Sequence, residues 1–115
     1  MRFEETDMQG PFSVTTVSEY IDRGYIGVYV LSRDALCVHY VGRGDYDLQG
    51  RLKTSISEGS GYRVFWFCYE SSPMQAYKRE CYLYHKYDPP DNSIHPAVPP
   101  GTNWRCPVPG CQWGD

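Results

Sequence analysis

"GVYVLSRDALCVHYVGRG", residues 27–44, has the pattern of a β-hairpin with an unusual symmetry. Its arms, "GVYVLS" and "LCVHYVG", are rich in β-branched and aromatic residues, and "RDA" between them carries turn chemistry. The first arm opens with Gly27-Val28-Tyr29 and the second closes with Tyr40-Val41-Gly42, with ten residues between the triplets. In the second arm Leu36, Val38 and Tyr40 alternate with Cys37, His39 and Val41, so both faces are partly apolar, as in a strand covered on both sides. With the turn at 33–35, Tyr29 and Tyr40 lie on facing arms and Gly27 falls opposite Gly42. Missing side chains there would let a backbone or a ligand come close.

Helical patterns surround the hairpin. "SVTTVSEYIDRG" predicts a short helix starting near Thr16 or Ser18 and ended by Gly24. In "DLQGRLKTSISEG", Asp47 is the expected cap, Leu48, Leu52 and Ile56 recur every fourth residue, and Gly59 follows the end. "YRVFWFCYE" is the most strand-like run of the chain. "SPMQAYKRECYLYHKY" begins with Ser72 as cap and Pro73 at the first helical position, and Asp88-Pro89-Pro90 must stop it. Seven of the nine prolines lie from residue 88 onward, where no periodic segment remains.

The resulting order is α-β-β-α-β-α. It predicts an α+β fold: a small, mostly antiparallel three-stranded sheet flanked by helices, with an irregular Pro-rich tail. The division is an N-terminal arm and short helix over 1–24, a core over 25–92, and a tail over 93–115. Residues 1–12 are expected to form a loose arm.

The chain's 115 residues suit one domain with one modest core. No stretch approaches the roughly 20 apolar residues of a membrane span. The acidic start "MRFEETDMQG" lacks the apolar stretch of a signal peptide, so a cytoplasmic protein is expected. Five cysteines, with Cys37, Cys68 and Cys81 inside apolar runs, suggest reduced thiols rather than a disulfide framework. Net charge is −3, yet residues 33–86 carry eight basic side chains against six acidic. A locally basic face can still meet phosphates.

Two charged residues sit where apolar ones belong. Glu80 occupies the centre of the apolar stripe of the last helix, among Ala76, Tyr77, Cys81 and Leu83. A carboxylate there needs a partner, either an Arg at the core edge or a hard cation such as Mg²⁺. Arg51 lies beside Leu48 and Leu52, at the margin of its helix's apolar face. It is either a snorkelling surface residue or a guanidinium placed to grip a phosphate.

Taken together, these residues resemble the GIY-YIG nuclease domain. The paired triplets match that family's paired motif. "YVGRGDYDLQGRL" resembles its stretch from the second triplet to a catalytic Arg, here Arg51. "AYKRECYLYHKYDPPDN" resembles its later segment, where a helical Glu is the metal ligand and an Asn follows a proline turn, here Glu80 and Asn92. The resemblance spans roughly residues 25–92. It implies an endonuclease that hydrolyses DNA phosphodiester bonds with one Mg²⁺ or Mn²⁺ on Glu80. Arg51 would stabilise the phosphate, Tyr29 would orient or activate water, and Tyr40 would support the site. Gly42, Arg43, Lys53 and Asn92 would meet the substrate.

Two departures stand out: the loop from Gly42 to Arg51 is slightly longer than usual, and Ser55 stands where many members place a His or Tyr. His39 is the available substitute base. The competing expectation is a catalytically weak or inactive module of the same fold, binding nucleic acid or a protein. Such nucleases often rely on an appended DNA-targeting domain, so a protein partner supplying that targeting is a further expectation. A cysteine-based enzyme using Cys37 or Cys81 lacks any nucleophile signature. In the tail, Cys106 and Cys111 with His95 offer three zinc ligands. With no fourth in sight and a wide spacing between the cysteines, a thiol pair is expected rather than zinc.

Overall fold

Asp34 decides how the hairpin closes. In a computed structural model, which describes residue 3 and residues 7–111, its Oδ1 accepts the backbone N–H groups of Leu36 and Cys37, each at 2.9 Å, and the Ser32 hydroxyl at 3.1 Å. Ala35 takes a left-handed φ of 64°. These local bonds replace ladder pairing, so residues 36–39 do not extend the second arm as the sequence pattern suggested. The strands are β1 (Gly27–Ser32) and β2 (Tyr40–Gly44).

Their register differs from the expected one. Tyr29 pairs with Gly42, Leu31 with Tyr40, and Gly27 with Gly44. The two glycines of the triplets therefore do not oppose each other. The phenols of Tyr29 and Tyr40 share one face diagonally, with ring centroids 6.2 Å apart.

The remaining elements follow the sequence pattern. They are α1 (Val14–Tyr20), α2 (Leu48–Ser57), β3 (Val64–Tyr69) and α3 (Pro73–Tyr87). Ser13 caps α1, several residues earlier than expected. Ser72 caps α3 through the Gln75 N–H, and Pro73 sits in its first turn. Asp47 occupies the N-cap of α2 as expected, but its side chain makes no capping hydrogen bond; its Oδ1 accepts the Gly24 N–H at 2.8 Å and ties the α1–β1 loop to the helix start.

The sheet is antiparallel in the order β2-β1-β3, with β1 central and wholly buried. Alternation sends Tyr29 and Leu31 to one face, against Val17 and Ile21 of the α1 region and Leu48 and Leu52 of α2. Val28 and Val30 go to the other, with Val41, Ala76, Leu83 and Tyr87. Gly27 lets both layers close: a Cβ there would lie 2.5 Å from the Cys68 carbonyl oxygen and 2.7 Å from Leu48.

The arm is not loose where it is described. Gln9 bridges Phe65 on the outer edge of β3, Phe12 donates to Arg63, and Phe3 packs on Trp66 and Tyr87. This covers a strand edge. The expectations for residues 1, 2, 4–6 and 112–115 fall outside the described residues. Residues 88–111 form no helix or strand, but Cys106 is buried with Tyr77 and Cys81, so the tail packs on α3. No helix among the described residues is long and apolar enough to cross a membrane.

Candidate active site

β2 is an edge strand, and what lies along its outer edge builds the site. Asn92 docks its amide there as a strand would: its Oδ1 accepts the Val41 N–H and its Nδ2 donates to the Val41 carbonyl, both at 2.9 Å. Asp91 N–H adds a bond to the His39 carbonyl at 3.0 Å. The chain then runs on through Ser93–Ala97, which forms one wall of a hollow of about 440 Å³. Tyr29, Tyr40, Gly42, Arg43, Arg51 and Glu80 line the rest, with Asp45.

Alternation explains the convergence. Tyr40 and Gly42 point to the α2 side of the sheet, and Arg43 points to the α3 side. Arg51 of α2 and Glu80 of α3, on opposite faces, therefore reach one hollow around the strand edge. Arg51 also borders a second hollow with Tyr46 and Thr54, and forms no salt bridge among the described residues.

Glu80 is 7% exposed. Its Oε1 accepts Arg43 Nη1 at 2.5 Å. Burial pushes the carboxyl up to about 7, against the Arg43 charge and hydrogen bond, which pull it back. Each nitrogen of Arg43 is engaged: besides the Glu80 bond, Nε donates to Asp45 Oδ1 at 2.8 Å and Nη2 donates to the Ala97 carbonyl at 2.6 Å, and the guanidinium lies over the Tyr77 ring. The Arg partner considered for Glu80 from sequence is thus Arg43, and this guanidinium faces protein acceptors.

Tyr29 lies beneath the hollow, fully buried, with its ring against Gly42. A Cβ at residue 42 would collide with the phenol's Cζ and Oη. Gly42 thus clears space for Tyr29 itself. The Tyr29 hydroxyl is buried and meets no hydrogen-bond partner at bonding geometry among the described residues. Burial, then the neighbouring Tyr40, push it up to about 12; Arg51 and Ser55 pull it back. Tyr40 is partly exposed, and burial followed by the Glu80 charge raises it too. Both phenols are protonated donors at neutral pH.

Other expected residues lie elsewhere. Lys53 borders neither hollow. His39 accepts the Arg33 N–H at 3.1 Å through Nδ1 and does not line the site. Asn92, by contrast, lines the hollow, with its amide engaged by Val41. Sequence reading missed Asp45 and the Ser93–Ala97 wall. The alternation of β2 and the proline turn could have pointed to the first and second respectively.

No family model, curated protein or solved structure matches the chain.

Proposed function

We propose that this hollow binds and hydrolyses a phosphodiester, making the protein a divalent-metal-dependent DNA endonuclease of the GIY-YIG type. The observation that carries the reading is the convergence of Tyr29, Tyr40, Arg51 and Glu80 on one open hollow, with the Tyr29 hydroxyl buried and unpartnered at its base. An orphan buried donor costs stability unless something fills its need, and a phosphate oxygen or ordered water would.

The donor set suits a hard cation: one carboxylate at the floor, a second in Asp45, and room for water and phosphate oxygens. Glu80 would hold Mg²⁺ or Mn²⁺, sharing its carboxylate with Arg43. Such an ion would neutralise phosphate charge and acidify bound water. Arg51, which forms no salt bridge among the described residues, would grip the non-bridging oxygens as charge builds on the pentavalent phosphorus. The phenols, both protonated, would position water or phosphate by donating hydrogen bonds rather than by taking a proton.

One observation favours a second reading. Glu80 is already satisfied by Arg43, as in a module that keeps the fold and binds nucleic acid or a protein without cutting it. Incubating plasmid with the protein and Mn²⁺, with and without chelator, separates the two. Nicking that chelator abolishes supports the endonuclease. Binding without nicking supports the module.

A further inference from the structure

The three cysteines and histidines of the tail, His95, Cys106 and Cys111, are joined in the fold by a residue the sequence pattern hides. His85, in the last turn of α3, comes next to His95, Cys106 and Cys111. One ligand atom from each lies within 4.8 Å of all the others. The four residues come from separate points of the chain: a helix end, the start of the irregular segment, and both ends of "CPVPGC".

We propose that these four side chains bind one structural zinc ion that fastens the tail to α3. A tetrahedral ion with Zn–S near 2.3 Å and Zn–N near 2.0–2.1 Å needs ligand-to-ligand edges on the order of 3.3–3.8 Å. Cys111 Sγ and His95 Nε2 are 3.4 Å apart. The His95 ring is also set for ligation. Its Nδ1 lies 3.0 Å from the Pro96 carbonyl, which can only accept, so Nδ1 carries the proton and Nε2 keeps its lone pair facing Cys111. A histidine ligand fixed by a carbonyl on its other nitrogen is the arrangement metal sites use. The Tyr84 ring meets both imidazoles edge-on, at 5.2 and 5.3 Å, and holds their planes.

The donor set selects the ion. Two thiolates with two imidazoles suit zinc, whereas Mg²⁺ and Ca²⁺ take oxygen. On binding, each thiol releases its proton to solvent and each sulfur donates an electron pair to the ion, with no change of oxidation state. Cys106 lies at the buried base of the site, 4% exposed, and His85 at its rim. Cys81 packs beside Cys106 but stands outside the set of four.

The ion's effect reaches the hollow. His95 lies in the wall segment, and Ala97, between His95 and Cys106, accepts the Arg43 Nη2 hydrogen bond at 2.6 Å. Pinning His95 and Cys106 to α3 therefore holds the carbonyl that positions Arg43 against Glu80. This proposal does not rest on the endonuclease reading, because its test reads metal content rather than cleavage.

The test is elemental analysis of the full chain, purified under reducing conditions without added metal and without a metal-affinity column. About one zinc per chain is expected. His85→Ala and Cys111→Ser, at the less buried ligands, should each fall well below half that content, while Cys81→Ala keeps it. Cobalt(II)-loaded wild type should show tetrahedral visible bands with thiolate charge transfer, and the charge transfer should weaken in Cys111→Ser. Protein free of zinc, unchanged zinc in both ligand variants, or a Cys106–Cys111 disulfide in place of the metal would overturn the site.

Discussion

Arg43 and Glu80 meet at 2.5 Å beside the candidate site, their side chains 12% and 9% exposed. A strand residue thereby bonds to the helix packed on the face it points to. Removing one member of a buried pair leaves the other charge uncompensated. Arg43→Met should lower unfolding free energy by about 3 kcal/mol, read by urea denaturation at neutral pH. Arg43→Lys should recover only part of that, because an ammonium cannot serve Glu80, Asp45 and the Ala97 carbonyl at once. Arg43→Met as stable as wild type would remove the pair from the account.

Gly42 and Tyr29 are interlocked, and the phenol cannot swing away because its ring is fully buried. Gly42→Ala should therefore cost about 1–3 kcal/mol through overpacking. The same variant should perturb the Tyr29 and Tyr40 ring resonances together. An alanine accepted without loss of stability would mean that the glycine clears no space for Tyr29.

Asn92 acts as a one-residue strand on the edge of β2. Asn92→Ala should cost about 1–3 kcal/mol, and the Val41 amide should exchange with solvent faster than in wild type. Unchanged Val41 exchange would contradict this role.

Asp34 carries the expected pH dependence of the hairpin loop. The Cys37 N–H, then the Leu36 N–H, hold its carboxyl down to about 2 from an ordinary 3.8. Its stabilisation is thus present above the unfolded value and lost as pH falls through about 2. Asp34→Ala should melt at lower temperature than wild type at pH 7. The gap should close between pH 4 and pH 2. A constant gap across that range would assign the effect to something other than the charge.

The periodic part of the fold is legible in the sequence. Leu48, Leu52 and Ile56 announce α2, Ser72 and Pro73 announce the start of α3, and the run through Phe65–Phe67 announces β3. These are local signals, each carried within a few residues. The misjudged parts depend on side chains that bond out of pattern. Asp34 takes the backbone groups that a continuing arm would have used, so the ladder starts at Tyr40. Ser13 reaches the Thr16 N–H and moves the helix start.

At the candidate site, Tyr29, Tyr40, Arg51 and Glu80 line one hollow; of these, Glu80 within an apolar stripe and Arg51 at the margin of one were legible as charges out of place. The pairing of Arg43 with Glu80 was open rather than hidden, because an acid in a stripe has more than one possible partner. His85 could not be placed. Nothing local joins it to the tail, and only the fold-back of an aperiodic, proline-rich segment brings His95 and the two cysteines to it.

The most direct test of the endonuclease reading is a plasmid-nicking comparison of wild type, Arg51→Ala and Glu80→Gln in Mn²⁺, each first shown by its melting curve to be folded. Glutamine keeps an oxygen for Arg43 but loses the charge a cation needs. The account predicts chelator-sensitive nicking by wild type, a loss on the order of 10²–10³-fold in Arg51→Ala, and background activity in folded Glu80→Gln. Folded Glu80→Gln that nicks at the wild-type rate would contradict it.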